Sequence, residues 1–332
     1  MKRVCVLPGD GIGPEVISCA VIVLEHVTND LQFEYSDIGR AAMAKHGSYL
    51  PAETLDLMRA SDSCLFGAVT STEEPGYQSP VLAFRSALDL YANLRPVRRL
   101  VQSQSWKPID LVIVRENSEG MYNQEEVKRG DSVITMRKVS RSACERIVRF
   151  SLDYARTNNR KRICCVHKSN VLRSSDGLFV RIFREVMAQE GGGIAAEEQL
   201  VDSAAMKLVT DPGRFDVIVT LNLYGDILSD VAAGVAGGLG FAPSGNIGPH
   251  HSVFEPAHGS ALDIAGKGLA NPTAAILSGV MMLRHLGMSD EAQRAEHAVA
   301  DVYRNGHLTV DIGGRHGSES FTKHVLERLQ ER

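Results

Sequence analysis

Short apolar runs recur along the chain, and the stretches between them are long enough to hold helices. Unbroken runs of this kind are typical of strands that are buried on both faces of a sheet. The runs that predict strands lie at 3–7, 64–69, 111–114, 163–166 and 215–221. Strands that alternate with helices predict an α/β protein whose sheets are covered by helices on both faces.

Two of the intervening stretches show helical spacing. After Pro14, which suits a first helical turn because its missing N–H needs no partner there, apolar residues repeat with a helical period. They are Val16, Ile17, Ala20, Val21, Leu24 and Val27. A second helix is predicted over 141–158, where one face is formed by Cys144, Ile147, Val148, Ser151, Tyr154 and Ala155.

The chain opens as strand, glycine-rich turn and helix, the order in which a dinucleotide-binding fold begins. The turn reads PGDGIGPEV, and a GxGxxG fingerprint would need a glycine where Pro14 stands. No acidic residue for a ribose follows on a second strand at a clear spacing, so the sequence argues against a Rossmann site. Two interpretations stay open: a turn packed against the sheet, or a loop beside a nucleotide that other residues bind.

The stretch 123–139 is polar and charged, with alternating valines. It fits a β-hairpin arm or a solvated loop. The sequence shows no internal repeat and no low-complexity segment.

Composition excludes several classes of protein. The 332 residues are 44% hydrophobic and 23% charged, with a net charge of −4, which argues against bulk nucleic-acid binding. Six cysteines without a CxxC pair indicate small core residues of a reduced, cytoplasmic protein. The apolar stretch at the start, MKRVCVLPGDG, is too short for the core of a signal peptide. The apolar stretch 274–283 is far shorter than the ~18 residues that a membrane-spanning helix needs.

Three arginines stand beside apolar sequence, where a guanidinium can grip a planar carboxylate with two hydrogen bonds. They are Arg85 in LAFRSALDL, Arg95 in ANLRPVR and Arg115 in VIVREN. One such arginine is more often a surface or ion-pair residue. Three at the ends of predicted elements indicate an anionic small-molecule substrate.

Tyr122 in RENSEGMY and Lys168 in CCVHKSNVL are candidates for proton transfer. Lys168 follows a predicted buried strand, at the edge where open sheets bind ligands, and a desolvated lysine there can act as a base. The alternatives are a core tyrosine and a lysine that extends to solvent.

Asp226 and Asp230 stand four positions apart and share one helix face. Two carboxylates this close repel each other unless a cation lies between them, and hard oxygen ligands select Mg²⁺ or Mn²⁺. Asp202 in LVDSAAM could supply a third ligand. The alternatives are a helix-capping aspartate and a solvated one.

The stretch FEPAHGSALDIAGKGLANP is rich in small residues, whose backbone amides can approach a ligand closely. Asp263 within it could accept hydrogen bonds from both ribose hydroxyls and would repel a 2′-phosphate, which favours NAD over NADP. Taken alone, the stretch could also be a glycine-rich surface loop.

Taken together and in order, these motifs resemble the β-decarboxylating dehydrogenases: the 3-isopropylmalate, isocitrate, homoisocitrate and tartrate/D-malate dehydrogenases. The resemblance runs nearly end to end, through GDGIGPEV, LDLYANLRPVR, VIVRENSEGMY, HKSNVL, VDSAAM, FDVIVTLNLYGDILSD, PSGNIG and EPAHGSALDIAGKGLANPTAAILS. It implies an isopropylmalate/isocitrate dehydrogenase-like α/β fold, with two α/β domains and a cleft between them, not a Rossmann fold. The terminal domain would comprise 1–92 and 238–332, and the middle domain 93–237, with the dimer interface and the arm at 123–139.

The resemblance also implies roles for individual residues. It places Val81, Leu82, Arg85, Arg95 and Arg115 at the substrate, and Tyr122, Lys168 and Asp226 in proton transfer. It makes Asp202, Asp226 and Asp230 the ligands of Mg²⁺ or Mn²⁺. It assigns NAD to Thr70, His258, Gly259, Ser260, Ala261, Asp263, Asn271 and Asp311. The family works as homodimers or dimers of dimers, in which Lys168 and Asp202 would act across the interface.

The implied reaction is the metal-dependent oxidative decarboxylation of a (2R,3S)-type 3-substituted malate by NAD⁺. TSTEEPGYQSPVLAFR and NNRKRICCVHKSNVLRSSDGLF look most like archaeal homoisocitrate/isopropylmalate dehydrogenases, which favours homoisocitrate and its product 2-oxoadipate. Val81 and Leu82 suit an isopropyl group, so 3-isopropylmalate, of leucine biosynthesis, is the second candidate, before isocitrate and D-malate or tartrate. Leu262 replaces a usual proline and Ser169 a usual alanine.

Two other classes of function fit the sequence less well. A non-catalytic regulatory subunit of such an enzyme would be expected to lose catalytic residues, and this chain retains them. A phosphate-sugar binding protein would use the glycine turns and leave the paired aspartates unexplained.

Overall fold

The chain divides into two α/β units in the computed structural model, which describes residues 1–74, 77–101, 108–123 and 125–331. The first unit consists of Met1–Asp89, Arg99–Gln104 and Gly237–Arg332, and the second of Leu90–Arg98 and Ser105–Ala236. The domain boundaries expected from the sequence stay a prediction.

The strands and helices alternate over most of the chain. In chain order, the strands are β1 (Lys2–Gly9), β2 (Leu31–Tyr35), β3 (Ser63–Ala68), β4 (Ala92–Arg98), β5 (Asp110–Glu116), β6 (Glu126–Arg129), β7 (Ser132–Thr135), β8 (Arg162–His167), β9 (Ala195–Leu200), β10 (Val217–Thr220), β11 (Pro243–Ile247) and β12 (Ser252–Pro256). The α-helices are α1 (Gly13–Val27), α2 (Arg40–His46), α3 (Ala52–Ala60), α4 (Pro80–Ala87), α5 (Arg141–Thr157), α6 (Ser175–Glu190), α7 (Val201–Thr210), α8 (Asn222–Ala236), α9 (Thr273–His285), α10 (Ser289–Arg304) and α11 (Ser318–Gln330). Short 3₁₀ turns lie at Met121–Asn123, Pro212–Arg214, Leu239–Phe241 and Val310–Ile312.

The strands of the first unit follow the order β2-β1-β3-β12-β11. Strand β1 is parallel to β2 and β3, β12 is parallel to β3, and β11 is antiparallel to β12. The core of this unit joins β1, β3 and β12 to the apolar faces of α1, α9, α10 and α11. The carboxyl ends of β1, β3 and β12 therefore open at one edge, where parallel sheets commonly bind ligands.

The strands of the second unit follow the order β4-β5-β10-β8-β9. Strands β5, β10, β8 and β9 are parallel to one another, and β4 is antiparallel to β5. Buried side chains of β5, β8 and β10 pack against α7 and α8 in one core cluster. The loops that follow β5, β8 and β10 leave the same edge of these strands, which brings distant parts of the sequence together.

The predicted strands and helices are confirmed. Each of the five apolar runs overlaps a strand, and both helical stretches form helices, α1 and α5. All six cysteines are buried and free, as the composition suggested. Among the described residues, no helix has the length and apolar content needed to cross a membrane.

Strands β6 and β7 form an antiparallel hairpin in the polar stretch 123–139. All eight residues of the pair are exposed. The structure therefore has a hairpin rather than an irregular loop here, except that residue 124 lies outside the described residues.

The first glycine-rich turn packs closely on its surroundings. Gly11 has a φ of +62°, and a Cβ there would lie 1.9 Å from the carbonyl oxygen of Ser260. The N–H of Ile12 donates to that same carbonyl at 2.9 Å. The turn thus supports the small-residue loop after β12, and glycine is needed because the two backbones approach each other without room for a side chain.

Candidate active site

Arg115 and Asp226 form the centre of a charged cluster in the second unit. Arg115 lies near the carboxyl end of β5, paired with Thr220 of β10, and α8 begins two residues after Thr220. The Arg115 side chain is 2% exposed, and its Nη1 donates to the Asp226 carboxylate. Its Nε and Nη2 donate to Oδ1 of Asn222 at 3.0 and 2.7 Å. A buried guanidinium is thus held at a fixed orientation by two residues of α8.

Arg95 brings a second guanidinium to the same helix. It lies on β4, and its side chain is 9% exposed. Its Nη2 lies 3.4 Å from Oδ1 of Asp226, and its Nη1 lies 3.5 Å from Oδ1 of Asp230. Asn93 and Ser229 accept further hydrogen bonds from Arg95, both at 2.6 Å. In this chain the positive charge between the paired aspartates is therefore supplied by an arginine.

Asp226 and Asp230 occupy one face of α8, as the sequence predicted. Partial burial raises the pKa of Asp230, and the neighbouring Asp226 carboxylate adds to the rise, while Arg95 opposes it. The two carboxylates thus repel each other even with Arg95 beside them, which is the electrostatic condition that a divalent cation relieves.

Tyr122 completes this cluster. It lies in the 3₁₀ turn Met121–Asn123, and its hydroxyl donates to the Asp226 carboxylate. The Arg115 guanidinium lies 5.0 Å from the centroid of the Tyr122 ring. Burial raises the pKa of Tyr122, and the hydrogen bond to Asp226 raises it further. The hydroxyl therefore keeps its proton at neutral pH, as a general acid must.

Lys168 and Asp202 form a separate ion pair in the second unit. Lys168 follows β8, and Asp202 lies in the first turn of α7. The hydrogen bond from the Lys168 ammonium lowers the pKa of Asp202. Within the described part of the chain, the only three-residue set of His, Cys, Asp or Glu ligand atoms within 4.8 Å of one another consists of histidines. Asp202 therefore does not join Asp226 and Asp230 within one chain.

A buried carboxylate fixes the backbone at Lys168. Asp176 is fully buried, and its Oδ2 accepts from the N–H of Lys168 at 2.7 Å. Its Oδ1 accepts from Nη1 of Arg137 at 2.7 Å. The buried ion pair thus holds the chain where it leaves β8.

Arg85 lies in the first unit, on α4, which Ser79 caps by accepting from the N–H of Leu82. The Arg85 side chain is 10% exposed, and its Nη2 donates to Oε1 of Glu255 at 2.8 Å. Val81 and Leu82 are half-buried and stand four and three positions before Arg85, on the same side of the helix. Two apolar side chains therefore flank this guanidinium.

The small-residue loop after β12 carries the predicted cofactor residues. The hydroxyl of Thr70 donates to that of Ser260 at 2.8 Å, and the N–H of Thr70 donates to Oδ2 of Asp10 at 2.9 Å. Ala261 adopts a left-handed φ of +37°. Gly259 and Asp263 are exposed. The sequence thus brings Thr70 and Ser260 into contact across 190 positions.

His258 has a nitrogen that suits a ligand. Its Nδ1 lies 3.0 Å from the carbonyl oxygen of Gly259, so Nδ1 carries the hydrogen and Nε2 carries a lone pair. Burial lowers the pKa of His258, which keeps the ring neutral. Among the described residues, Nε2 is buried and has no hydrogen-bond partner. It is placed to accept a hydrogen bond from a bound molecule.

Asn271 and Asp311, the remaining predicted cofactor residues, contact each other. Nδ2 of Asn271 donates to Oδ2 of Asp311 at 3.0 Å. Oδ1 of Asn271 accepts from the N–H of Thr273 at 3.0 Å, at the start of α9. The structure thus places both residues beside the start of this helix.

The residues present fit both groups that the resemblance to the β-decarboxylating dehydrogenases implies, a divalent metal and a dinucleotide. Asp226 and Asp230 offer hard oxygen ligands that repel each other, which suits Mg²⁺ or Mn²⁺. The buried, unpartnered Nε2 of His258 and the exposed Asp263 suit a dinucleotide. The structure places these two sets of residues in different units.

Sequence reasoning missed the residues that orient the charged groups. Asn222, Asn93 and Ser229 hold the two arginines, Glu255 holds Arg85, and Asp176 holds the backbone of Lys168. Most of these contacts join positions more than 100 residues apart, so spacing along the chain gives no signal for them. Asn222 and Ser229 stood inside the NLYGDILSD motif and could have been considered.

Fold and site together are those of an α/β oxidoreductase family. Residues 3–329 match the family model described as isocitrate/isopropylmalate dehydrogenase. The chain belongs to this family, and the expected fold is confirmed. It is accordingly an oxidoreductase, a decarboxylating dehydrogenase that acts on a small hydroxy acid.

Close relatives match over almost their whole lengths. The chain is 45% identical to 3-isopropylmalate dehydrogenase of Archaeoglobus fulgidus, over 99% of this chain and 100% of that one. It is 47% identical to isocitrate/homoisocitrate dehydrogenase of Thermus thermophilus, over 99% and 98%. Among solved structures, isocitrate dehydrogenase of Methylococcus capsulatus is similar with a TM-score of 0.95 and 42% identity, over 99% of this chain and 100% of that one.

Proposed function

We propose that the protein oxidatively decarboxylates a 3-substituted malate, with NAD⁺ as oxidant and Mg²⁺ or Mn²⁺ as metal. The observation that carries the proposal is the cluster of Arg95, Arg115, Tyr122, Asp226 and Asp230, which places two carboxylate grips, a proton donor and two hard ligands together.

Charge balance in this cluster favours the binding of substrate and metal together. Two guanidiniums and two carboxylates sum to zero formal charge. A divalent cation alone would leave an excess of two positive charges, and the two carboxylates of a malate moiety alone an excess of two negative charges. Bound together, they keep the cluster neutral, which matters because Arg95 and Arg115 are almost fully buried.

The arginines fix the malate moiety by planar, two-bond contacts to its carboxylates. Arg85 of the first unit is a further candidate for a substrate carboxylate, because its Nε is buried and has no partner among the described residues. Asp226 and Asp230 would hold the metal, with Asp202 from a second copy of the chain. The metal, when bound, supplies Lewis-acid polarisation of the substrate oxygen.

Proton transfer falls to Tyr122 and Lys168. Lys168, supplied by the second copy, would take the proton of the C2 hydroxyl. NAD⁺, when bound, would supply the hydride acceptor for C2. After CO₂ is lost from the β-keto acid, Tyr122 gives its proton to C3. The pKa of Tyr122 is raised by burial and by Asp226, so the proton is present at neutral pH.

The proposed assembly is a homodimer, because each active site would take residues from both copies of the chain. Lys168 and Asp202 pair with each other, and among the described residues Asp202 forms no three-residue ligand set with Asp226 and Asp230 of its own chain. The exposed β6–β7 hairpin is the proposed arm of the dimer contact.

NAD is the proposed dinucleotide. Thr70, Ser260, His258, Asn271 and Asp311 would surround it, with the small residues Gly259 and Ala261 allowing its close approach. Asp263 is exposed on the same loop and would accept from the ribose hydroxyls. A 2′-phosphate would meet like charge there, so kcat/KM is expected to be higher with NAD⁺ than with NADP⁺. Asp263→Ser should reduce the ratio of kcat/KM with NAD⁺ to kcat/KM with NADP⁺.

Homoisocitrate is the proposed substrate, and 2-oxoadipate the product. Support comes from the stretch before Arg85 and from the Thermus thermophilus relative, whose name includes homoisocitrate. 3-Isopropylmalate is the second candidate, because Val81 and Leu82 place apolar surface beside Arg85 and because the Archaeoglobus fulgidus relative carries that name. Isocitrate and D-malate or tartrate follow.

The deciding experiment is a substrate panel. NADH formation by the purified chain is measured as kcat/KM with homoisocitrate, 3-isopropylmalate, isocitrate and D-malate, in the presence of Mg²⁺. Tyr122→Phe should lose activity, whereas Tyr154→Phe, on the half-buried side of α5, should keep it. Absence of NADH with all four substrates would refute the proposal and favour the regulatory-subunit class.

Shared sites are tested by mixing inactive variants. Lys168→Met and Tyr122→Phe are unfolded and refolded together. A dimer that shares its sites should recover about a quarter of wild-type activity, because half of the randomly formed dimers carry one intact site. If the refolded wild-type control is active but the mixed variants recover no activity, each chain forms a whole site.

A further inference from the structure

Three histidines of the first unit form a cluster that the reaction does not use. The ligand nitrogens of His307, His316 and His324 all lie within 4.8 Å of one another. The rings of His307 and His324 stack with centroids 3.9 Å apart, and the ring of His316 meets that of His324 edge-on at 4.9 Å. All three are half-buried, so solvent ions can reach them.

Two of the histidines lie in the connection between α10 and α11, and the third lies on α11. His307 follows the end of α10, where its N–H donates to the carbonyl of Val302. His316 lies beyond the 3₁₀ turn, and its N–H donates to the carbonyl of Leu308 at 3.2 Å. His324 lies on α11, which the buried Phe321 and Val325 anchor in the core. The backbone around the cluster is thus held by hydrogen bonds and core packing.

Glu327 prepares His324 to bind a metal. Its Oε2 lies 2.9 Å from Nδ1 of His324, one helical turn away. That contact places the hydrogen on Nδ1 and leaves the lone pair on Nε2. A carboxylate behind a histidine is the arrangement that orients metal-ligating imidazoles and raises their basicity.

We propose that His307, His316 and His324 form a site for a divalent transition metal, best suited to Zn²⁺, with Glu327 as the supporting carboxylate and a fourth position open to water. Three imidazoles suit borderline ions such as Zn²⁺, Ni²⁺ and Cu²⁺ and suit Mg²⁺ poorly. The site is therefore distinct in ligand chemistry from the aspartates of α8. Its ligands would tie the end of α10, the following loop and α11 together.

Binding requires a small local adjustment. Tetrahedral Zn²⁺ with bonds of ~2.0–2.1 Å sets its nitrogen ligands roughly 3.3 Å apart. The nitrogens must therefore move closer by at most about 1.5 Å, and the stacked rings of His307 and His324 must turn so that their lone pairs converge. Both rings are half-buried rather than fully packed, so side-chain rotation can supply this movement.

The test measures zinc bound to the full chain after removal of any affinity tag. The protein is titrated with ZnSO₄ in excess Mg²⁺, and the bound zinc is counted by elemental analysis and by calorimetry. Wild type should bind one more equivalent than His307→Gln/His316→Gln/His324→Gln. Glu327→Gln should keep the stoichiometry and bind about 10–100-fold more weakly. His250→Gln/His251→Gln, a histidine pair elsewhere in the unit, should match wild type.

Folding of each variant is checked by circular dichroism and NADH formation. The single substitution His324→Gln, at a half-buried position of α11, provides a milder variant if the triple one unfolds. Zinc should also raise the Tm of wild type by a few degrees and leave that of His324→Gln unchanged. Equal zinc binding by wild type and the histidine variants, or an equal loss in His250→Gln/His251→Gln, would overturn the proposal.

Discussion

Gly225 offers the sharpest test of how α8 positions the buried Arg115. A Cβ on Gly225 would lie 2.6 Å from Cγ and 2.7 Å from Cβ of Arg115. Ordinary carbon contacts begin at ~3.5 Å, so Gly225→Ala must push helix and strand apart by roughly 1 Å. The clash falls on the base of the arginine side chain, which cannot swing away.

Two effects of Gly225→Ala are expected. Overpacking should lower the free energy of unfolding by about 1–3 kcal/mol, measured by urea denaturation. Displacement of the guanidinium by about 1 Å should reduce kcat/KM about 10²-fold, measured with the best substrate of the panel. At a temperature where the variant is folded, its lower free energy of unfolding should not account for the loss in kcat/KM.

Gly234 provides a matched control on the same helix. A Cβ there meets nothing within 4 Å, and the residue is exposed. Gly234→Ala should therefore raise stability by about 0.5–1 kcal/mol through the helical preference of alanine and leave kcat/KM unchanged. Equal kcat/KM for the two alanine variants would refute the claim that Gly225 is needed to seat Arg115.

Three further predictions concern buried groups. Asn222→Ala removes the acceptor of Nε and Nη2 of the buried Arg115 and should lower the free energy of unfolding by about 1–3 kcal/mol in urea. Asp176→Asn breaks a buried ion pair and should cost about 3–5 kcal/mol, whereas Asp153→Asn, in an exposed pair, should cost less than ~1 kcal/mol; similar losses would contradict this contrast. Burial raises the pKa of Cys144 and Cys164 to about 12, so both stay protonated at about pH 8, and iodoacetamide should modify them only as fast as the protein unfolds. Rapid labelling of the folded protein at these two positions, detected by mass spectrometry, would be inconsistent with that burial.

The buried strands and helices could be predicted because burial on both faces leaves an unbroken apolar run. Strand β4 was harder, since ANLRPVR carries two arginines and a proline, and β9, AAEEQL, is charged as an edge strand can be. Only the pairing of β4 with β5 shows that Arg95 stands opposite Ile113. Local pattern therefore identifies core strands, while strands defined by their neighbours need the tertiary structure.

The residues of the candidate site could likewise be predicted only in part. Motifs pointed to Tyr122, Lys168 and the aspartates because reactive side chains are few in kind and stand at element ends. They could not show that Arg95 lies between Asp226 and Asp230, because that contact depends on the antiparallel pairing of β4. The histidine cluster gave no signal in the sequence, because its members are eight or nine positions apart and meet only through the fold of the α10–α11 connection onto α11.

The first unit has a consequence for how the chain is made. Ser63 of β3 and Ser252 of β12 share a hydrogen bond, yet they are 189 positions apart. At ~5–20 residues per second, a ribosome needs roughly 10–40 s to travel from one to the other. During that time β1, β2 and β3 have no partner for the open edge of β3, while the intervening second unit can already fold. The unfinished N-terminal sheet, with its unpaired strand edge, is thus the part of the nascent chain that is most prone to aggregate and most in need of chaperones.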